Sequence, residues 1–218
     1  MALITTKIGR LQLFKTEHAL RECLVTTQTR STDMASSEAM RRALKQLEHC
    51  QKNHAQCSKE HESMLPTRVI NVGSQEDRAI KIHLTQEGER GQYLTLSYCW
   101  GKLPQYITTK ETIKDESRTI QLDNLAQTIK DAVSITRQLG FQYLWIDALC
   151  IVQDCPTDKS NEISRMHEVY KNSTLTISAS TAFGVMEGFL YNIPAERSFQ
   201  LPIRMRNGTV GFIDQTAN

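Results

Sequence analysis

Asp147 is a single acid inside the apolar run Tyr143–Asp154, YLWIDALCIVQD. A run so short and apolar predicts a strand buried on both faces, of the kind found in parallel sheets. An unpaired carboxylate is costly in such a place. Asp147 therefore either marks the carboxyl end of the strand, where open α/β sheets bind ligands, or is tied down by structural partners. Asp154 ends the same run, with Cys150 between the two acids. Two acids near one strand end can orient a ribose hydroxyl, or serve as base and orienter. A helix cap at Asp154 and a buried hydrogen bond at Asp147 explain the same residues equally well. Cys150 is a weak candidate nucleophile, because no histidine lies near it in the chain.

A second cluster is Ser97, Tyr98, Cys99, Trp100 and Gly101. A flat indole and a flexible backbone after a buried strand suit a pocket that stacks a base or another ring. Trp100 covering the sheet edge, with Gly101 making the turn, is the competing account. Cys50, His54, Cys57 and His61 share one helical face and are zinc-ligating types. On one straight helix the outer two lie about 16 Å apart, too far to share an ion. They continue the apolar stripe of Ala43 and Leu47, so no metal is expected there. The glycine patterns of dinucleotide and P-loop sites are absent. His167 and Glu168 read as solvated helix residues. Lys102–Arg118 reads as a surface excursion long enough for a lid or binding loop.

The elements that must position these residues follow from periodicity. Lys7–Phe14 suggests a strand and Thr26–Ser37 a polar loop. Ser36 or Ser37 can cap a helix with Glu38 in its first turn and Met40, Ala43, Leu44 and Leu47 on one face. Arg68–Val72 and Ala79–Leu84 read as strands, as does Tyr93–Tyr98. A helix is predicted from about Leu125 to Leu139, stopped by Gly140. The strand Gln142–Ile146 follows. After Pro156, the spacing of Ile163, Met166, Val169 and Tyr170 outlines another helix, and Thr174–Ser178 another strand. This alternation predicts a parallel α/β sheet with right-handed crossovers. Phe199–Met205 and Thr209–Ile213 flank Asn207–Gly208, a strong hairpin signal.

The 218 residues are 39% hydrophobic and 23% charged, which fits an ordinary globular chain with one substantial core. A net charge of +2 argues against nucleic acid as the partner. The six cysteines do not suggest a disulfide scaffold in a chain this long. No secretory signal and no membrane span is read, so a cytoplasmic protein with reduced thiols is expected.

Three stretches, YLTLSYCWG (Tyr93–Gly101), NLAQTIKDAVSITRQLGFQYLWIDALCIVQD (Asn124–Asp154) and SRMHEVYKNSTLTISAS (Ser164–Ser180), resemble the heterokaryon incompatibility (HET) domain of filamentous fungi. The resemblance covers Tyr93 to about Leu190, with Ala126 standing where a proline is usual. The upstream segment, including LPTRVI, is similar to what commonly precedes this domain. The resemblance implies fungal nonself recognition and programmed cell death. It also implies a TIR-like or flavodoxin-like parallel sheet with flanking helices for residues 93–218, closed by a C-terminal β-hairpin. Residues 1–92 would be an N-terminal extension with a helix over about 37–61 and short strands.

Some TIR-like domains cleave NAD with a glutamate in a Trp-x-x-Glu context, and HET domains typically carry a similar Trp-x-x-Gln-Glu segment downstream. No tryptophan follows Trp145, and Glu187 and Glu196 lie in unmatched context. The expectation is a domain incomplete at its C-terminus, with no catalytic residue assigned and no hydrolase activity carried over. NAD or a related nucleotide is the ligand the resemblance implies. Ser97, Tyr98, Trp100 and Gly101 would wall its pocket, Asp147 would form the base, and Asp154 would order the following loop. The rival expectation is a non-enzymatic module that self-associates or engages a death-signalling partner. An inactive family member that keeps the scaffold alone is a further alternative.

Overall fold

The computed structural model describes residues 35–53, 62–115 and 118–190, together with the backbone of 198–204 and 210–216. Helix α1 (Ser37–Asn53) is followed by β1 (Ser63–Met64), β2 (Arg68–Asn71), β3 (Ala79–Leu84), β4 (Arg90–Gly91), β5 (Tyr93–Ser97) and β6 (Thr119–Gln121). Then come α2 (Gln127–Gln138), β7 (Tyr143–Trp145), α3 (Asp147–Cys150), α4 (Pro156–Asn172), β8 (Leu175–Ser178), β9 (Ser198–Arg204) and β10 (Val210–Thr216). Ser36 caps α1, its Oγ accepting the Ala39 N–H at 3.2 Å. His54, Cys57 and His61 of the weighed zinc cluster lie outside the described residues, as do Lys7–Phe14 and the Asn207–Gly208 turn. The strands on either side of that turn do pair antiparallel, from Arg204 opposite Val210 to Ser198 opposite Thr216.

The central sheet has six strands in the order β6-β3-β2-β7-β5-β8. It is mixed, which corrects the expectation of a parallel sheet. β5 pairs parallel with β7 and with β8, whereas β2 pairs antiparallel with both β7 and β3, and β3 pairs antiparallel with β6. The physical reason lies in the connections. The short link between β2 and β3 permits a hairpin, while the helices α2 and α4 provide the long crossovers that parallel neighbours need. Residues 68–84 thus belong to the same sheet as the strands after residue 93.

One face of this sheet carries an aliphatic row. Register places Leu175, Leu94, Leu144, Ile70 and Ile82 side by side across five strands, and Ile80 opposite Ile120 extends the face to the sixth. All are buried. The opposite face of the parallel half carries Tyr93, Thr95 and Trp145, and α4 covers it. The Tyr93 hydroxyl donates to the Val169 carbonyl at 2.7 Å, the Tyr170 hydroxyl donates to the Leu96 carbonyl at 3.0 Å, and Tyr170 meets Trp145 edge-on. The crossover from β5 to β7 and the one from β7 to β8 run in opposite directions along the sheet, so right-handedness puts α2 on the aliphatic face. Its Ile129, Ala132 and Val133 are buried.

A buried arginine joins the two halves. Arg68 of β2 is 8% exposed, and its Nη2 donates to both carboxylate oxygens of Asp158 at 2.8 and 2.7 Å. Its Nε donates to the Cys150 carbonyl, and the Glu162 carboxylate stands 3.6 Å away. Asp158 also accepts the Val152 N–H at 2.8 Å. Removing one partner of such a cluster strands the others as buried charges. Arg68→Met is therefore expected to lower stability by about 3–5 kcal/mol. Equilibrium urea unfolding checks this; an unchanged midpoint would show that the cluster carries no net stability.

Candidate functional site

The parallel pairing brings the carboxyl ends of β5, β7 and β8 to one edge of the sheet. The apolar run Tyr143–Asp154 does not continue as a strand through Asp147. β7 stops at Trp145, and the Ile146 carbonyl accepts the N–H groups of Leu149 and Cys150, which turns the chain into the single helical turn α3. Asp147 opens that turn at the sheet edge, so it stands at the strand end and is also tied down by partners.

Trp100, in the loop after β5, donates its indole N–H to Asp147 Oδ2 at 2.9 Å. The Ala148 N–H donates to Oδ1 at 2.7 Å. Burial nevertheless raises the Asp147 pKa, and its hydrogen-bond donors oppose the shift without cancelling it. Tyr98 is itself shifted upward, by its burial first and by the Asp147 charge second. Its hydroxyl reaches Gln105 Oε1 at 3.2 Å.

A cleft of about 180 Å³ opens beside Trp100 and Asp147. Ile151 and Gln153 form another part of its lining, and Lys159, Ile163 and Met166 complete it from α4. Those three follow the i, i+4, i+7 spacing of one helix face. Ile163, which the sequence places on the core stripe of this helix, is 50% exposed at the cleft. Gln153 is held in place, its Nε2 donating to the carbonyls of Asp147 and Ile151 at 3.0 and 3.1 Å.

Of the six residues singled out in the sequence, the structure thus gathers Tyr98, Trp100 and Asp147. Ser97 sits exposed at the end of β5, with its carbonyl accepting the Ala179 N–H. Gly101 has φ +71°, and a Cβ there would lie 3.1 Å from the Gly184 Cα, so it makes a left-handed turn under a crossing backbone. Asp154 accepts the Lys110 N–H at 2.7 Å, so it orders the excursion that precedes it in sequence. Thr108 fastens the same excursion, exchanging backbone bonds with Ala148 and Gln153 and donating its hydroxyl to the Leu149 carbonyl. Cys150 is fully buried, and its thiol pKa is pushed up to about 12 by burial, which leaves it inert as a nucleophile. Among the described residues no cluster of His, Cys, Asp or Glu could hold a metal ion, and no helix is long and apolar enough to cross a membrane.

Gln153, Lys159 and Met166 were not picked out as site residues from the sequence. The i, i+4, i+7 spacing of α4 was a readable signal, but it does not tell which stripe faces the core.

The family model described as Heterokaryon incompatibility protein (HET) matches residues 93–206, more than half of the chain. This chain belongs to the HET family. No curated protein and no solved structure matches it.

Two predictions follow from the geometry of this edge. The native state holds the Asp147 proton more tightly than the unfolded chain, whose carboxyl titrates near 3.9. Wild-type stability therefore falls, relative to Asp147→Asn, as pH rises through the folded-state value. Urea midpoints measured upward from pH 4 should show the variant gaining on wild type until the folded-state carboxyl has ionised and then levelling off; a constant difference throughout would contradict the raised pKa. Gly101→Ala should cost on the order of 1–2 kcal/mol from its left-handed φ alone, measured by the same unfolding curves.

Proposed function

We propose that this chain is a HET-domain module of fungal nonself recognition that drives programmed cell death, and that the cleft at Trp100 and Asp147 binds a nucleotide-type ligand. The observation that carries the ligand reading is the Trp100–Asp147 hydrogen bond, which fixes an indole beside an acid at the carboxyl edge of parallel strands. Strand order supports a TIR-like or flavodoxin-like unit. Counted from β5, the parallel strands lie in the order second-first-third, the arrangement with which a flavodoxin-like sheet begins. In that arrangement ligands bind where the strand order reverses, next to the first strand.

Inducible expression in a filamentous fungal host tests the reading. Asp147→Asn and Trp100→Phe are both expected to lose most of the cell-death response while keeping the wild-type circular dichroism spectrum. Wild-type killing by both folded variants would overturn the pocket as the working site.

A self-associating module is the second reading, and a separate observation favours it. Phe183 is 87% exposed, and Leu103 and Met186 are also exposed. The Phe183–Val185 turn crosses Gly101, which brings these residues to the region of Trp100. Sedimentation velocity over a hundredfold concentration range should then show assembly that the double variant Phe183→Ser/Met186→Ser abolishes. A monomer throughout would remove this reading.

A further inference from the structure

The charges of α4 are divided between two sides of the helix. Asp158 and Glu162 turn inward to Arg68, so neither is available to neutralise the cleft. Lys159 lies between them in sequence, is exposed, and makes no ion pair among the described residues. It is the cation of a cleft whose remaining lining is Trp100, Ile151, Ile163, Met166, Gln153 and Asp147. A lysine with no ion pair among the described residues, at the rim of an aromatic and aliphatic cleft, suits an anionic group attached to a flat ring.

Gln153 refines the ring. Both of its amide protons are committed to backbone carbonyls, so Oε1 is left to accept. An acceptor fixed in this way selects a donor on the ligand, such as an exocyclic amino group. At about 180 Å³ the cleft is smaller than the ~300–1,000 Å³ typical of ligand pockets, enough for one ring and too small for two nucleosides.

We infer that the cleft takes a nucleoside monophosphate with an amino-bearing base, the base against Trp100 and within reach of Gln153 Oε1, the phosphate on Lys159. This rests on the reading of the cleft as a ligand site and narrows it to a single nucleotide. The base is gripped by the Trp100 face and the Ile163 and Met166 side chains, while Lys159 meets the phosphate at the rim as a point charge.

Titration calorimetry on the full chain tests it with AMP, adenosine and IMP as probes. AMP should bind about fivefold more tightly than adenosine, the scale of one rim ion pair. Lys159→Gln should erase that gap and leave adenosine affinity unchanged. IMP, with an oxo group where AMP has the amino group, should bind more weakly than AMP. Absence of saturable AMP binding at millimolar concentration overturns the proposal, as does a gap between AMP and adenosine that survives Lys159→Gln. If AMP fails to bind while Asp147→Asn still abolishes cell death, the ligand class is wrong and the functional reading stands. If AMP binds as described while Asp147→Asn kills normally, the functional reading falls and the binding site remains.

Discussion

The guanidinium of Arg68 is the constraint on which the site edge depends. A buried cation must keep its partners close, because the alternative is several uncompensated charges in a low-dielectric interior. Its partners come from three places remote in sequence: the Cys150 carbonyl at the end of α3, and Asp158 and Glu162 in the first turns of α4. Asp158 in turn holds the Val152 N–H. The floor of the cleft, at Ile151 and Gln153, and its α4 wall are therefore set by one side chain on β2. Tight packing transmits that placement to the edge where Trp100 meets Asp147.

The mixed sheet gives its two halves different surroundings. β5 is buried on both faces over four of its five residues, as expected where crossover helices flank parallel strands. β3 and β6 instead alternate, with Ile80, Ile82 and Ile120 buried and Lys81 exposed, so the outer antiparallel strands turn one face to water. His83 on that face stacks on Tyr143 and bonds Glu89 at 2.8 Å, covering the boundary between the halves with polar side chains. The strand ends that build the cleft thus all lie in the half that is sealed on both sides. There a fixed dipole or charge is screened least.

Much of the order of elements was legible from periodicity alone. β3 matches its predicted span, α2, β7 and β8 fall within about two residues of theirs, the ordinary uncertainty of element ends, and α4 contains the four residues that outlined it. What periodicity could not supply was direction and partnership. Val69, Ile70 and their neighbours form an apolar strand in either orientation, so the antiparallel pairing of β2 with β7 had no local signature. β6 is three residues inside a polar excursion and exists because Ile120 packs opposite Ile80. Nothing local marks Arg68, the first residue of its strand, as a buried cation, since its partners lie more than eighty residues away. The helical turn at Asp147 was hidden for a related reason: the apolar residues Ala148, Leu149 and Cys150 read alike in a strand and in a buried turn.

Two acids in this chain show why Asp147 differs from a structural carboxylate. Asp131 of α2 is 6% exposed; its Oδ1 accepts from Gln127, and its Oδ2 accepts the Phe189 and Leu190 N–H groups at 2.7 and 3.1 Å. Those bonds clasp the segment after β8 to the start of α2, together with the Thr128 hydroxyl, which accepts the Gly188 N–H. Asp131 is held by these three donors within the fold. Asp147 has two donors, Trp100 and the Ala148 N–H, yet it lines an open cleft and burial still raises its pKa. A carboxylate offers about four acceptor positions, so capacity remains for a donor arriving from the cleft. The hydrogen bond to Trp100 therefore does not exhaust Asp147: it fixes the direction in which the remaining acceptor points. The bonds that hold this residue in the fold thus also set how its carboxylate meets the cleft.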